Sequence, residues 1–164
     1  MKVAVISDTH DNKIAIQKAF KLIESMGITL TLHLGDTISP FVADFIREVY
    51  KGDLKIILGN NDGEKFYLKR KFESNGFEFF ELKPVVIELL GRKIIMMHEP
   101  IAVESLARSG DFDIILYGHL HKIDNRRIGN TLVLNPGEAC GYLTGKRSFA
   151  ILDLEKMEAE VIEF

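Results

Sequence analysis

The first half of the chain alternates short apolar runs with longer amphipathic segments. The apolar runs are typical of buried strands and lie at residues 3–7, 30–34 and 54–58. After the first run, apolar side chains recur at helical spacing, which predicts a helix over residues 12–26 with Asn12 as its capping residue. Ser39 and Pro40 predict the start of a second helix, with the Ser39 hydroxyl as its cap, and residues 64–73 predict a third. Strands that alternate with helices in this way form a parallel sheet with right-handed crossovers.

After residue 77 the strand-like runs follow one another with few intervening helices. The runs at 84–90 and 93–97 are separated only by Gly91 and Arg92, which predicts a hairpin. A short helix is predicted over 102–109, and the remaining strand-like runs lie at residues 113–117, 122–128, 131–134, 148–154 and 159–164. A chain of 164 residues suits one domain, so we predict a single α/β domain over residues 1–164 whose second half is rich in strands.

Composition and charge narrow the classes of function. The chain is 46% hydrophobic and 27% charged, which is typical of a globular protein. Its net charge of −3 argues against binding to long nucleic acid, which requires a basic face. No run approaches the ~20 apolar residues of a membrane-spanning helix, and the first apolar run is too short for the core of a signal peptide. We therefore expect a cytoplasmic protein that binds neither long nucleic acid nor a membrane.

Three further residues are given structural interpretations. Cys140 is the one cysteine of the chain, so no internal disulfide can form. It lies in a loop-like segment with no obvious base beside it, and we interpret it as a small filler residue rather than a nucleophile. Glu138 in the same segment is interpreted as a solvated loop carboxylate. His33 lies inside the second strand-like run, where we expect a hydrogen-bonded core histidine.

Side chains that bind metals follow five of the strand-like runs. They are Asp8, His10, Asp36, Asn60, His98, His119 and His121. Asp8 and His10 are two positions apart, so in an extended segment they would lie on one face and reach the same cation. Open α/β folds gather their ligands at the carboxyl ends of the strands, where we expect all these side chains to meet. Carboxylate, amide and imidazole donors without a thiolate suit Mn, Fe, Ni, Co or Zn better than Ca or Mg.

The number of these ligands predicts a dinuclear centre. Seven ligands are too many for one ordinary site and suit two sites that share a carboxylate, for which Asp36 is the natural choice. Two divalent ions ~3.5–4 Å apart can hold a hydroxide between them and clamp the oxygens of a phosphoryl group. We therefore expect two divalent transition-metal ions as cofactors and hydrolysis of a phosphoester as the reaction.

These residues resemble the motif set of the calcineurin-like metallophosphoesterases. The family pattern runs Asp-x-His, Gly-Asp, Gly-Asn-His-Asp/Glu, His and Gly-His-x-His. This chain carries, in the same order, Asp8-x-His10, Gly35-Asp36, Gly59-Asn60-Asn61-Asp62, His98 and Gly118-His119-x-His121. The Asn-Pro-Gly segment at 135–137 resembles the small single-domain prokaryotic phosphodiesterases of the family. The resemblance implies a four-layer α/β/β/α sandwich with two mixed sheets, and a phosphodiesterase that acts on a small phosphoester.

The resemblance also implies a role for each motif residue. One metal would be held by Asp8, His10, Asp36 and His121, and the other by Asp36, Asn60, His98 and His119. Asn61 and Asp62 complete the third motif and are the candidate catalytic residues. Asn61 stands where many relatives carry a histidine thought to protonate the leaving oxygen, and an amide cannot donate a proton in that sense. We therefore expect slow turnover and a preference for activated phosphodiesters, whose leaving groups depart unassisted. Glu99 and Pro100 replace the Gly-His pair that commonly follows the ligand histidine.

Two alternatives to a phosphodiesterase stay open at the level of sequence. A retromer subunit that resembles this family serves as an interaction scaffold, and loss of ligands would indicate such a role. None of the seven ligands is missing, which favours an enzyme. A phosphomonoesterase is the second alternative, and diesters are preferred over monoesters by resemblance alone. The resemblance also leads us to expect a homodimer.

Overall fold

A computed structural model describes all 164 residues of the chain. The strands are β1 (Lys2–Ile6), β2 (Leu30–His33), β3 (Asp53–Ile57), β4 (Glu78–Phe80), β5 (Val85–Leu89), β6 (Arg92–Met96), β7 (Ile114–Leu116), β8 (Ile123–Ile128), β9 (Thr131–Pro136), β10 (Ser148–Asp153) and β11 (Glu158–Glu163). The helices are α1 (Lys13–Ser25), α2 (Val42–Arg47), α3 (Lys65–Ser74) and α4 (Val103–Ser109). None of these helices has the length and apolar character needed to cross a membrane.

The strands form two mixed sheets. The six-stranded sheet has the order β11-β10-β1-β2-β3-β4, and the five-stranded sheet has the order β5-β6-β7-β9-β8. In the first sheet β1 to β4 run parallel. Strand β10 pairs antiparallel with β1, and β11 pairs antiparallel with β10. In the second sheet β6, β7 and β9 run parallel between the antiparallel strands β5 and β8. The parallel strands of each sheet therefore end at a common edge.

The two sheets pack face to face, and helices cover their outer faces. Val5 and Leu32 of the first sheet and Met96 and Leu116 of the second belong to one apolar cluster between the sheets. Helices α1, α2 and α3 pack on the outer face of the first sheet through a second cluster that includes Phe20. Helix α4 packs on the second sheet through a third cluster. The predicted α/β/β/α sandwich is thus confirmed.

Most predicted elements are present, and two details differ. Asn12 caps α1 as predicted, because its Oδ1 accepts a hydrogen bond from Ala15 N at 3.2 Å. The Ser39 hydroxyl does not cap α2; it donates to Asp11 Oδ1 at 2.8 Å, and backbone hydrogen bonds such as that from Val42 N to Ser39 O close the first turn. Strand β4 is not apparent from the sequence, because a strand of 3 residues is too short to show alternation.

His33 is fully buried at the end of β2, as expected of a core histidine. Its Nδ1 accepts a hydrogen bond from Gly35 N at 3.1 Å, and its Nε2 lies 3.2 Å from the hydroxyl of Thr9. Because Nδ1 accepts, the ring is neutral and carries its proton on Nε2. Burial lowers the pKa of His33 to about 4. The neutral ring therefore connects the loops that follow β1 and β2.

We expect Ile16→Ala in α1 to lower the free energy of unfolding by about 2–5 kcal/mol, because Ile16 is fully buried and truncation leaves a cavity. Ile14 lies on the same helix but is 74% exposed, which makes Ile14→Ala the matched control. The control should change the unfolding free energy by less than about 0.5 kcal/mol. Urea unfolding measures both variants, and equal effects would contradict the orientation of α1.

We expect the metal-free protein to lose stability as the pH falls from 6.5 to about 4, because His33 takes up a proton in the unfolded chain before it does so in the fold. His33→Gln keeps a neutral polar side chain and removes this contribution. The stability advantage of the wild type over the variant should therefore shrink as the pH falls through this range. Urea titrations of both proteins across the range measure it, and an advantage independent of pH would contradict the lowered pKa of His33.

Candidate metal centre

The loops that follow β1, β2, β3, β6 and β7 bring all seven predicted ligands together at one edge of the sandwich. Each ligand has a side-chain nitrogen or oxygen within 3.7 Å of such an atom of another. Backbone hydrogen bonds fix the loops to one another, from Asp8 N to Gly35 O at 3.1 Å and from Gly118 N to His98 O at 3.0 Å. Parallel strands place these loops side by side, so residues far apart in sequence meet here.

One group of side chains surrounds the carboxylate of Asp8. His121 Nε2 lies 3.3 Å from Asp8 Oδ1, and His10 Nε2 lies 3.7 Å from the same oxygen. His10 Nε2 also lies 3.5 Å from Asp36 Oδ2. Asp8 and Asp36 are fully buried. This group therefore offers two carboxylate oxygens and two imidazole nitrogens around one point.

A second group surrounds Asn60. His98 Nε2 lies 2.9 Å from Asn60 Oδ1, and His119 Nδ1 lies 2.8 Å from the same oxygen. His98 Nε2 also lies 3.4 Å from Asp36 Oδ2. The same oxygen of Asp36 thus faces His10 in the first group and His98 in the second. Asp36 is the one residue that belongs to both groups.

Several ligands have an unusual backbone conformation. Left-handed φ angles occur at Asp8 (55°), His10 (42°), Asp36 (58°), His119 (67°) and His121 (56°). The expectation that Asp8 and His10 lie in an extended segment is therefore wrong, and both reach the centre because the backbone curls at each of them. A residue in such a sparsely populated conformation costs roughly 1–3 kcal/mol and persists only where its surroundings hold it.

Two glycines allow the ligand loops to approach each other closely. Gly35 has φ 98°, a conformation that favours glycine. A Cβ atom on Gly35 would lie 2.5 Å from Gly59 N, and a Cβ on Gly59 would collide with Asp36. The glycine before Asp36 therefore does more than turn the chain after β2, because it also admits the loop that carries Asn60.

Hydrogen bonds determine which ring nitrogen carries the proton in two of the histidines. His121 Nδ1 lies 2.7 Å from Glu138 Oε2, and His98 Nδ1 lies 2.8 Å from the carbonyl oxygen of Leu34. Both partners are acceptors, so both rings carry a proton on Nδ1. In the neutral rings the Nε2 lone pairs are thus aimed at Asp8 and at Asn60, whose oxygens also present lone pairs. A cation between them would convert this repulsion into attraction.

Unpartnered polar atoms also indicate that these side chains could hold a cation. Asp8 Oδ1 and His10 Nε2 are buried and have no hydrogen-bond partner. A buried polar atom without a partner is costly, and such atoms are satisfied in proteins by water, ions or ligands. The donor set of carboxylate, amide and imidazole groups suits a divalent transition-metal ion. The residues present therefore fit the metal centre that their sequence motifs predict.

The electrostatics of the centre favour positive charge. Burial by itself would raise the pKa of Asp36, but His98 and the two hydrogen bonds from Asn61 hold it well below its usual range. Burial would lower the pKa of His98, but the hydrogen bond and charge of Asp36 raise it above its ordinary value. The neighbouring carboxylate of Asp8, 3.7 Å from His10 Nε2, raises the pKa of His10. The buried carboxylates thus stabilise a neighbouring positive charge, which a metal ion also supplies.

The two candidate catalytic residues lie beside this centre in different environments. Asn61 is exposed, and its backbone N and side-chain Nδ2 donate to the two carboxylate oxygens of Asp36 at 2.9 and 2.7 Å. Asp62 is 4% exposed. Its carboxylate accepts hydrogen bonds from the backbone N atoms of Asp36, Thr37, Ile38 and Gly59. Asp62 therefore connects the loop after β2 to the loop after β3.

The segment after β9 departs from the sequence interpretation. Glu138 is 1% exposed, so the expectation of a solvated loop carboxylate is wrong. Cys140 is fully buried, its thiol donates to Glu138 at 3.1 Å, and its sulfur lies within 4.8 Å of nitrogens of His10 and His121. Burial and the Glu138 carboxylate raise the pKa of Cys140 to about 12, which keeps the thiol protonated. Sequence spacing could not reveal these contacts, because they join the segment after β9 to loops distant in the chain.

The position that follows His98 is tied to a different loop. Glu99 accepts a hydrogen bond from Lys83 Nζ at 2.8 Å. Burial by itself would raise the pKa of Glu99, but the Lys83 ammonium lowers it below its ordinary value. The pair is partly exposed, so its contribution to stability is small. Glu99 therefore holds the segment before β5 against the loop that carries His98.

Comparison with known proteins agrees with this geometry. The family model of the calcineurin-like phosphoesterase superfamily domain matches residues 1–157. A phosphodiesterase of Methanocaldococcus jannaschii is 36% identical over 162 residues, which cover 96% of this chain and 96% of that protein. The vacuolar protein sorting-associated protein 29 of Schizosaccharomyces pombe is 28% identical over 145 residues, which cover 86% of this chain and 73% of that protein.

The overall structure is also similar to a solved one. The structure of an archaeal phosphodiesterase matches this chain with a TM-score of 0.92 and 32% sequence identity, and the match covers 100% of both chains. The family model, the full-length relative and the shared architecture agree with the clustered ligands described above. The chain belongs to the calcineurin-like phosphoesterase superfamily.

Proposed function

We propose that this metal-dependent phosphoesterase hydrolyses activated phosphodiesters at a centre of two divalent metal ions that share Asp36. The observation that carries the proposal is the position of Asp36 Oδ2, which lies 3.5 Å from His10 Nε2 and 3.4 Å from His98 Nε2. A single carboxylate oxygen between two sets of imidazole donors has the arrangement of a bridging ligand. The name of the Methanocaldococcus jannaschii relative supports the reaction class.

The two groups of side chains give the ligands of each ion. The first ion would be held by Asp8, His10, Asp36 and His121, and the second by Asp36, Asn60, His98 and His119. The donor set suits Mn, Ni, Fe, Co or Zn. Bound divalent ions would supply a water activated between them and neutralise charge on the phosphoryl oxygens.

Asn61 limits what the chain itself can do for the leaving group. Its amide is exposed and close to the centre, so it can donate a hydrogen bond to a phosphoryl oxygen. An amide does not give up its proton, so it cannot neutralise the alkoxide that an alkyl ester releases. An aryl or otherwise activated leaving group departs without this assistance. Asn61 therefore favours activated esters as substrates.

Asp62 has a positioning role in this proposal rather than a catalytic one. Both of its oxygens accept hydrogen bonds from backbone N–H groups and it is almost fully buried, so it is not exposed to a substrate. Its contacts hold Asp36 and Gly59 at a fixed separation. The carboxylate thus keeps the shared ligand beside the loop that carries Asn60.

A binding role without catalysis is the second candidate function. The observation that favours it is the similarity to the vacuolar protein sorting-associated protein 29. The complete set of ligands and the buried unpartnered atoms at the centre favour the enzyme. If the chain bound no ion at micromolar Mn²⁺, the binding role would be favoured over the enzyme. A cytoplasmic location and a homodimer stay predictions from the sequence.

We expect the wild-type chain to bind two Mn²⁺ ions and Asp36→Ala to bind neither, because Asp36 belongs to both ligand groups. His98→Ala should keep the first ion and lose the second. Asp111 is exposed and forms no hydrogen bond or ion pair with any candidate ligand, so Asp111→Ala is the matched control and should keep both ions. Metal analysis after dialysis measures the stoichiometry. One ion per wild-type chain at saturation, or loss of both ions from His98→Ala, would show that the assignment is wrong.

We expect the wild type to hydrolyse bis(p-nitrophenyl) phosphate faster than alkyl monoesters, because no acid is available for a poor leaving group. Asn61→His introduces such an acid and should raise turnover of alkyl esters, with a ceiling of roughly 10²–10⁴-fold for general acid catalysis. Turnover of the activated diester should change much less. Steady-state assays with Mn²⁺, Ni²⁺ and Mg²⁺ measure both. Faster hydrolysis of alkyl monoesters by the wild type, with a ratio that Asn61→His does not change, would overturn this assignment.

A further inference from the structure

Glu138 is a buried carboxylate that contacts a metal ligand without being one itself. Its Oε2 lies 2.7 Å from His121 Nδ1, on the side of the ring opposite the Nε2 that faces Asp8 at 3.3 Å. The side chain of Glu138 is fully buried. The imidazole of His121 therefore lies between two carboxylates, one that lines the metal centre and one behind it.

Glu138 is itself held by the backbone that follows it. Its oxygens accept hydrogen bonds from the backbone N atoms of Tyr142, Leu143 and Thr144, at 3.1 Å for Tyr142. The hydroxyl of Thr144 donates to Oε1 at 2.6 Å, and the thiol of Cys140 donates to Oε2 at 3.1 Å. Every one of these contacts supplies a donor, so the carboxylate is ionised and its orientation is fixed.

The same segment is fixed to the loop after β1. Ala139 N donates to Ser7 O and Cys140 N to Asp8 O, each at 3.0 Å. Asn12 Nδ2 donates to Cys140 O at 2.9 Å. Glu138 thus has a rigid position relative to Asp8, which is the other neighbour of His121.

An ionised carboxylate behind an imidazole has two effects on a metal ligand. It keeps the proton on Nδ1 and thereby leaves the Nε2 lone pair free, and it increases the basicity of that lone pair. It also prevents rotation of the ring away from the ion. Comparable carboxylate–histidine pairs change metal affinity by about 10–100-fold when the carboxylate is altered.

We propose that Glu138 is a positioning residue that orients His121 with Nε2 towards the first metal ion and so sets the affinity of that site. The proposal rests on the metal centre of the proposed function and not on the identity of the substrate. The segment 142–144 acts as the support that holds the carboxylate in place. Glu138 does not contact the second group of ligands, so its effect is confined to one of the two ions.

The test uses the 164-residue chain and two readouts. Mn²⁺ titration followed by electron paramagnetic resonance measures the affinity of each site, and Glu138→Gln should weaken one site by about 10–100-fold and leave the other unchanged. Long-range ¹H–¹⁵N spectra of the metal-free and Zn²⁺-loaded wild type should show His121 with its proton on Nδ1. The resonance of that proton should shift or disappear in Glu138→Gln, which a purely structural role for Glu138 would not require.

Asp111→Ala is the control, because Asp111 is exposed and forms no hydrogen bond or ion pair with Glu138, His121 or any other candidate ligand. It should leave both Mn²⁺ affinities unchanged and preserve the His121 resonance. Unchanged Mn²⁺ affinities in Glu138→Gln, or His121 with its proton on Nε2 in the wild type, would overturn the proposal. The position of the His121 proton in the wild-type spectrum tests the proposal even if Glu138→Gln does not fold. Weakened binding at one site by a chain that hydrolyses no phosphodiester would support the role of Glu138 while contradicting the proposed activity.

Discussion

The centre of this protein depends on two carboxylates, Asp8 and Asp36, that are buried without compensating lysine or arginine side chains among their contacts. A buried charge is strongly unfavourable unless a charge of opposite sign lies beside it. Here the available partners are imidazoles, which become positive when they bind a proton and which donate a lone pair when they bind a metal. The raised pKa of His98 and His10 and the lowered pKa of Asp36 express the same requirement. The architecture of the site follows from satisfying that requirement at one edge of the sandwich.

A second pair of buried carboxylates holds this arrangement in place. Asp62 accepts backbone N–H groups from the loops after β2 and β3, and Glu138 accepts those of the segment after β9. Charge-assisted hydrogen bonds of this kind are stronger than neutral ones, and several of them on one carboxylate fix loops that lack regular structure. Five of the candidate ligands have left-handed backbone conformations, and these anchors are part of what holds them. The acidic residues of this edge thus divide into those that face the metal centre and those that hold the loops.

The tertiary contacts explain why several sequence interpretations failed. Ser39 has the pattern of a capping residue, but Asp11 competes for its hydroxyl across the adjacent loop. Glu138 follows a proline and a glycine, as a solvated turn residue does, yet Ser148 N donates to its carbonyl oxygen and backbone hydrogen bonds fix the segment to the loop after β1. The sequence around a residue indicates its preferred local conformation, whereas its burial depends on which distant segments fold over it. The extended geometry expected for Asp8 and His10 failed for the same reason.

The strands and helices other than β4, and the edge at which the candidate ligands lie, could be predicted from the sequence. Each of these depends on local information, because apolar periodicity sets the elements and the residue after a buried strand must leave the sheet at its carboxyl end. The tertiary structure alone decided that Asp36 Oδ2 faces both ligand groups, that Glu138 lies behind His121, and that Asp62 holds two loops. These relations join residues on different strands through side-chain directions and loop conformations, which a linear sequence does not specify.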